Sequence, residues 1–203
     1  MLRAMIENCC RPRGVYGRLM LRGMNAGHGP MARWALDRAG PGPGRILDIG
    51  CGGGANIRRL LRRHPGCRVD GVDYSAESVE LSRRLNAGAV ADGRCEIVEG
   101  DVMSLPFADG TYDAATAFET VYFWPDLTAA LREVRRVLRS GGKLLIACEM
   151  NDPVKALKWS RHCAAMTVYT SAELVACARA AGFRETKADE RGVWTALSAV
   201  KYR

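Results

Sequence analysis

An acidic residue and a cluster of glycines adjoin each other in residues 45–56, which read RILDIGCGGGAN. The apolar run around Asp48 predicts a buried strand, and Gly50 and Gly52 behind it predict a tight turn. Glycine turns at such strand ends bring backbone N–H groups close to a ligand, which is usually a phosphate. A phosphate would be repelled by Asp48, whereas an ammonium or sulfonium group would be attracted. The segment therefore predicts a site for a positively charged ligand.

The glycines alone fit two classes of cofactor. The spacing of Gly50, Gly52 and Ala55 also satisfies the dinucleotide pattern G-x-G-x-x-G/A. S-adenosylmethionine differs from a dinucleotide because it has no phosphate and carries an α-ammonium and a sulfonium. Asp48 therefore favours the methyl donor and disfavours a cofactor such as NAD. We predict that S-adenosylmethionine is bound by Asp48, Gly50, Cys51 and Gly52.

Further candidate residues follow the next two predicted strands. Asp73 closes the segment RVDGVD and is placed to accept both ribose hydroxyls in charge-assisted hydrogen bonds. Asp101 and Val102 follow the third strand, where the carboxylate would accept the adenine amino group and Val102 would meet the ring. Tyr74 would cover the adenosine from the other side. Single acidic residues at strand ends often cap helices, but a series at successive strand ends predicts an adenosine site.

The fourth predicted strand leads into the segment FETVYFWPD, residues 118–126. In an open α/β sheet, ligands lie outside the carboxyl ends of the strands where the winding reverses, here between the first and fourth strands. Glu119 and Tyr122 are therefore the catalytic candidates. We interpret Glu119 in two ways, as a base or anchor for a substrate amine, or as a carboxylate that bonds backbone or covers the cofactor. Tyr122, Phe123 and Trp124 would shape an aromatic wall for the substrate.

The N-terminal residues and the irregular stretch 151–168 are the natural lids, because the central sheet leaves the acceptor side open. A surface or capping role suits His28 as well as substrate contact does, since this residue stands between two glycines. No His/carboxylate cluster is visible in the sequence, so we expect no metal. The further substrate-binding candidates are Tyr16, Met24, Asn25, His28, Trp34 and Tyr169.

A parallel sheet wound by helices would bring these residues together. From residue 45 onward, apolar strands alternate with amphipathic helices, which is the pattern of such a sheet. Thr170 and Glu173 form a capping-box pattern, and two alternating segments after that helix predict an antiparallel hairpin at the sheet edge. The predicted strands are 45–49, 68–72, 95–99, 112–118, 143–148, 183–189 and 193–200, and the predicted helices are 54–64, 75–86, 126–139 and 171–181.

We interpret residues 1–203 as a single α/β domain with three parts. Residues 45–149 form the cofactor-binding core. A helical lid over residues 1–44 precedes it, and Pro30 suits the first turn of a helix in this lid. Residues 150–203 hold a lid segment, the capped helix and the C-terminal hairpin.

The net charge of +8 does not by itself indicate a nucleic-acid surface. Eight arginines, within residues 58–63 and 132–139, lie opposite apolar residues on two predicted amphipathic helices, so they form solvated faces without interleaved stacking aromatics. No apolar run approaches the ~20 residues that span a bilayer, and the N-terminus lacks the apolar core of a signal peptide. The eight cysteines include no C-x-x-C and no zinc spacing. We expect a cytoplasmic monomer or homodimer without a membrane or nucleic-acid partner.

Five segments resemble the class I S-adenosylmethionine-dependent methyltransferases, especially small-molecule enzymes of the quinone-biosynthesis C-methyltransferase type. They read ILDIGCGGG, GVDYS, EGDVMSLPF, YDAATAFETVYFWPD and LREVRRVLRSGGKLLIACE, and cover roughly residues 45–149. The resemblance implies a three-layer Rossmann-like fold with sheet order 3-2-1-4-5-7-6 and strand 7 antiparallel. Related enzymes often carry a histidine after the fourth strand, and its absence here disfavours a simple histidine-base mechanism. By motif match the implied cofactor contacts are Asp48, Gly50, Gly52, Asp73, Tyr74 and Asp101.

We predict methyl transfer from S-adenosylmethionine, by in-line displacement, to a small-molecule acceptor that is aromatic or bears an amine. A nucleic-acid methyltransferase is disfavoured, because FETVYF lacks the polar-Pro-Pro-aromatic turn with which base-amino enzymes clasp a flipped base. A dinucleotide oxidoreductase is disfavoured by Asp48. A regulatory protein that binds the cofactor without catalysis is the third alternative.

Overall fold

A computed structural model describes residues 17, 23, 27–160 and 166–203, including the side chains of all but 158–160. The strands of this part of the chain form one seven-stranded sheet in the order 3-2-1-4-5-7-6. The seventh strand runs antiparallel to both neighbours, and the other pairs are parallel. The strands are β1 (Arg45–Ile49), β2 (Arg68–Asp73), β3 (Ile97–Glu99), β4 (Tyr112–Phe118), β5 (Leu138–Cys148), β6 (Arg184–Arg191) and β7 (Trp194–Val200).

The winding of the sheet reverses between β1 and β4. β1 pairs with β2 on one side and with β4 on the other, and Asp48 of β1 is level with Thr116 of β4. Glu119 and Glu149 are the residues that directly follow β4 and β5. Because these strands are parallel to β1, both glutamates emerge at the same edge of the sheet as the glycine turn.

Helices cover both faces of the sheet and complete the three layers. α1, α2 and α3 bury their apolar residues with Ile46 on one face, whereas α5 and α7 pack with Leu47 on the other. Successive side chains of a strand point to opposite faces of the sheet, so each strand contributes apolar residues to the core on both faces. The helices are α1 (Gly29–Ala39), α2 (Ala55–Arg63), α3 (Ala76–Leu85), α4 (Ala87–Ala91), α5 (Leu127–Val137), α6 (Pro153–Ser160) and α7 (Ser171–Ala180), with a 3₁₀ turn over Val121–Phe123.

The predicted helix starts are confirmed by their caps. The carboxylate of Asp126 accepts a 2.9 Å hydrogen bond from the backbone N–H of Ala129 and so begins α5. Thr170 and Glu173 form the reciprocal capping box of α7. The caps fix the first residues of α5 and α7, and both helices then pack on the face of the sheet that holds Leu47.

The sheet order implied by the resemblance is confirmed, but some predicted boundaries were wrong. α5 ends at Val137, and β5 starts at once with Leu138, which pairs with Tyr112 ahead of an irregularity in the ladder. Gly141 therefore lies inside the strand, with a φ of +79°, although the helix was predicted to extend to residue 139 and the strand to start only at 143. The short helices α4 and α6 and the 3₁₀ turn were not predicted, because a few residues carry too little periodicity to identify.

Helix α1, which lies in the predicted N-terminal lid, belongs to one of the helical layers that cover the sheet. Met31 and Ala35 of α1 are fully buried in the same cluster as Ile46 of β1. The lid prediction for residues 1–16, 18–22 and 24–26 falls outside the described part of the chain. Among the helices that the structure describes, none combines the length and apolar character needed to cross a bilayer.

Candidate cofactor and acceptor site

The glycine turn after β1 has a backbone that other residues would strain. Gly50 and Gly52 have φ values of +66° and +50°, a region that favours glycine. The N–H groups of Gly50 and Cys51 both donate to the carbonyl of Val72, at 2.8 and 3.1 Å. A Cβ added to Gly50 would lie 2.1 Å from the Thr120 hydroxyl oxygen. The turn is therefore packed between the end of β2 and the residues that follow β4.

Asp48 is a buried carboxylate with one satisfied oxygen. Its exposed fraction is 1%, and its Oδ1 accepts a 2.7 Å hydrogen bond from the Thr116 hydroxyl. Its Oδ2 has no hydrogen-bond partner among the residues that the structure describes. Burial raises the pKa of Asp48 to about 7, and the hydrogen bond from Thr116 opposes the rise. A positive group beside Oδ2 would remove this cost, so the residue fits the ammonium or sulfonium of the methyl donor.

Asp73 couples the end of β2 to the glycine turn. Its Oδ2 accepts a hydrogen bond of 2.8 Å from the N–H of Gly52, and its Oδ1 accepts one of 3.0 Å from the N–H of Ser75. Burial raises the pKa of Asp73, although these backbone donors oppose it. Each carboxylate oxygen can accept a second hydrogen bond, so the predicted ribose contact is compatible with this arrangement and stays a prediction.

The residues predicted to meet adenosine flank this edge of the sheet. Tyr74 directly follows β2 and is 40% exposed. The exposed Asp101 accepts a 2.9 Å hydrogen bond from the N–H of Met103 through its Oδ1, and Val102 packs against the core under β3. The adenine contacts of Asp101 and Val102 stay predictions.

Glu119 stands at the end of β4 in an unusual backbone conformation. Its φ is +58°, in the left-handed region, which a residue with a Cβ rarely adopts. Its Oε1 accepts hydrogen bonds from the N–H of Glu149 and, at 3.2 Å, from the Tyr122 hydroxyl. That hydroxyl accepts a 3.0 Å hydrogen bond from the N–H of Met150. Burial, together with the charge of Glu149, raises the pKa of Glu119 to about 8.

A histidine from the N-terminal part of the chain completes this cluster. The Nδ1 atom of His28 lies 2.9 Å from Oε2 of Glu149 and 3.8 Å from Oε2 of Glu119. The potential ligand atoms of all three residues lie within 4.8 Å of one another. The sequence was expected to hold no His/carboxylate cluster, and this expectation was wrong. His28, a predicted substrate-binding candidate, lies in this cluster, although residues 119–126 after β4 contain no histidine. His28 precedes α1, which packs on the sheet and so places its first turn beside β5.

Glu149 is the member that sequence reasoning missed. It directly follows β5 as Glu119 directly follows β4. The other candidates were identified at the carboxyl ends of the first four predicted strands. The same reasoning, applied to the fifth strand, would have identified Glu149.

The aromatic residues of the 3₁₀ turn do not form the predicted open wall. Tyr122 and Trp124 are buried in the core, where they pack with α5 and α7, and only Phe123 is partly exposed. Burial raises the pKa of the Tyr122 hydroxyl well above its usual range. This hydroxyl therefore acts here as a donor to Glu119 and not as a ready proton acceptor.

The remaining predicted substrate residues are scattered. Trp34 of α1 packs against Trp194 of β7, with ring centroids 5.9 Å apart. Tyr169 is half-buried against the core beside the start of α7. Substrate contact for these two stays a prediction. Three further candidates lie outside the described residues: Tyr16, Met24 and Asn25.

Comparison with known proteins decides the family. A family model for a methyltransferase domain matches residues 47–146, from β1 into β5. Over 158 residues the chain is 31% identical to methyltransferase phqN of Penicillium fellutanum, covering 73% of this chain and 48% of that protein. Over 130 residues it is 38% identical to the ubiquinone/menaquinone biosynthesis C-methyltransferase UbiE of Paracoccus denitrificans, covering 64% and 50%. Residues 47–146 form a methyltransferase domain, similar to those of the class I S-adenosylmethionine-dependent enzymes.

The fold is shared with a distant protein of known structure. Phosphoethanolamine N-methyltransferase 2 of Haemonchus contortus, solved with S-adenosyl-L-methionine, superposes with a TM-score of 0.77 at 16% identity, covering 94% of this chain and 59% of that chain. The resemblance and the Rossmann-like methyltransferase fold are thus confirmed. The chain spans about half the length of the curated relatives that it matches.

Proposed function

We propose that this methyltransferase transfers a methyl group from S-adenosylmethionine to a small-molecule acceptor. The observation that carries the proposal is the buried Asp48, whose Oδ2 has no hydrogen-bond partner in the described chain and lies beside the glycine turn. A buried carboxylate with one unbonded oxygen costs stability, and the hydrogen bond from Thr116 and the charge of Arg59 offset the burial of Asp48 only in part, since its pKa stays raised to about 7. A dinucleotide would bring negative phosphates to this place, whereas the methyl donor brings positive charge.

The chain's own residues divide the binding of the donor among them. Asp48 would bind the positively charged amino-acid part, and the glycine turn lets the backbone approach closely. Asp73 would accept the ribose hydroxyls, since it lies at the end of β2 and already fixes the turn through Gly52. Tyr74 and Asp101 would border the adenine side. Family membership and the order of these residues along the sheet edge support this assignment.

The acceptor would lie beyond the ends of β4 and β5, beside the cluster of His28, Glu119 and Glu149. Methyl transfer forms a bond between the acceptor atom and the methyl carbon while the sulfur–methyl bond breaks and its electron pair stays on sulfur. The protein must hold the acceptor atom in line and keep water away. Polar side chains dominate this cluster, and the aromatic residues Tyr122 and Trp124 are buried. We therefore favour an acceptor with a nitrogen or oxygen nucleophile over a purely aromatic one.

A labelling experiment tests the proposal. The protein is incubated with isotopically labelled methyl donor and a metabolite extract, and products are identified by mass spectrometry. A labelled small molecule that forms with the wild-type protein and is lost in Asp48→Asn supports the proposal. Binding of the donor with no labelled product would instead support a regulatory protein, and labelled nucleic acid would support a base methyltransferase.

A further inference from the structure

Three metal-ligating side chains converge at the carboxyl edge of the sheet from three separate parts of the chain. His28 precedes α1, Glu119 follows β4 and Glu149 follows β5. One ligand atom of each lies within 4.8 Å of those of the other two. We propose that these side chains bind one divalent transition-metal ion.

The orientation of Glu119 points to a ligand between the three groups. Its Oε1 is held by the N–H of Glu149 and by the hydroxyl of Tyr122, which is itself fixed by the N–H of Met150. Its Oε2 is directed at Nδ1 of His28 from 3.8 Å, beyond hydrogen-bond distance, in a side chain only 10% exposed. Outer hydrogen bonds of this kind orient carboxylates that ligate metals. Oε2 of Glu119 is therefore the atom that a cation would bind.

The ligand set and its spacing indicate the kind of metal. One imidazole nitrogen and two carboxylate oxygens suit Mn²⁺, Fe²⁺ or Zn²⁺, whereas sites made only of oxygen suit Ca²⁺ and Mg²⁺. Ligand atoms about 2.1 Å from one ion stand roughly 3 to 3.5 Å apart. The separations from Nδ1 of His28 are 2.9 and 3.8 Å, and the two glutamates offer oxygens within 4.8 Å of each other, so side-chain movements of about an ångström would complete the site.

Three protein ligands leave coordination positions open, as in catalytic metal sites. The cluster lies at the β4 and β5 ends, where we place the acceptor, so an open position would bind an acceptor oxygen or nitrogen. Metal binding itself does not depend on methyl transfer. It therefore goes beyond the proposed function and can be tested separately from it.

Manganese is the suitable probe, because thiolates prefer softer metals and the described cysteines are unpaired. Chelator-treated protein is titrated with Mn²⁺, and the free ion is measured by electron paramagnetic resonance. We expect one ion per chain. Glu119→Gln and Glu149→Gln should each weaken binding at least about tenfold, while Glu80→Gln, an exposed glutamate of α3 paired with Arg84, should bind like the wild-type protein.

Circular dichroism and a titration with S-adenosylhomocysteine accompany each variant. If one glutamine variant fails to fold, the other and His28→Ala carry the test, since the His28 side chain is 30% exposed. Absence of a stoichiometric Mn²⁺ site in the wild-type protein, or equal binding in folded variants, would overturn the metal site. If the wild-type protein does not bind S-adenosylhomocysteine, that result would count against the proposed function and not against the metal site.

Discussion

The hydroxyl of Thr116 on β4 donates a 2.7 Å hydrogen bond to Oδ1 of Asp48 on the neighbouring strand β1. This contact spans the place where the winding of the sheet reverses. It fixes one oxygen of the carboxylate and leaves the other, Oδ2, without a partner in the described chain. The carboxylate is thus oriented before any ligand arrives, which lowers the cost of binding a cation.

Asp48→Asn should weaken S-adenosylhomocysteine binding at least about tenfold, or ~1.4 kcal/mol. The amide has nearly the same volume and can still accept the hydrogen bond from Thr116, so the loss reports the missing charge. Isothermal titration calorimetry at pH 8 measures it. Asp92→Asn, an exposed residue after α4, is the matched control and should bind normally. Equal affinity of the two variants for S-adenosylhomocysteine would show that the charge of Asp48 does not contribute to binding.

The stability of the ligand-free protein should depend on the ionisation of Asp48. Burial raises its pKa in the folded state to about 7, against about 3.9 in an unfolded chain. Between these values the folded state holds a proton that the unfolded state has released, so the free energy of unfolding falls as pH rises. The fall from this residue is at most about 4 kcal/mol and levels off above pH ~7.

Urea unfolding from pH 4.5 to 8 measures this dependence as the difference between the wild-type protein and Asp48→Asn, which removes the contributions that both share. The wild-type protein should lose stability relative to the variant through this range. A difference that stays constant, or that grows in favour of the wild-type protein, would mean that the folded protein keeps Asp48 ionised at little cost.

Gly50→Ala should destabilise the fold more than Gly93→Ala. Both glycines have a positive φ, +66° and +70°, so both changes introduce backbone strain of about 1–2 kcal/mol. Only Gly50 also faces the Thr120 side chain, 2.1 Å from the added Cβ, whereas nothing lies within 4 Å at Gly93. Denaturation of the two variants and titration with S-adenosylhomocysteine test this. Equal stability and equal affinity would show that the turn moves freely away from Thr120.

Glu119→Gln should leave S-adenosylhomocysteine binding intact and reduce methyl transfer at least about tenfold. The amide oxygen can still accept the N–H of Glu149, which preserves the local structure while the charge is lost. Label incorporation into the product found in the extract is the measurement, with Glu80→Gln as the control. Full activity would remove Glu119 from the acceptor side of the mechanism.

Local sequence patterns were sufficient for the strands and the glycine turn, whereas the order of the strands in the sheet came from the family resemblance. The apolar run before Asp48 and the capping residues Asp126 and Thr170 act within a few positions along the chain, so their consequences can be predicted. The boundary between α5 and β5 was misplaced, because the pairing of Leu138 with Tyr112 extends the strand through glycines that resemble a helix end.

The acceptor-side cluster could not be predicted in the same way. His28 and Glu149 are 121 positions apart, and only the packing of α1 on the sheet brings them together. The burial of Tyr122 and Trp124 is likewise decided by α5 and α7, not by the segment that contains them. Tertiary packing of this kind leaves no local signal for His28, Tyr122 or Trp124 in a single sequence, whereas the position of Glu149 directly after β5 was a signal that could have been used.

The most direct test of the account is a titration of the wild-type protein with S-adenosylmethionine, S-adenosylhomocysteine and NAD under identical conditions. Selection of a cationic ligand by Asp48 predicts that the first two bind at one molecule per chain and that NAD does not compete with them. Binding of NAD in their place would contradict the central claim.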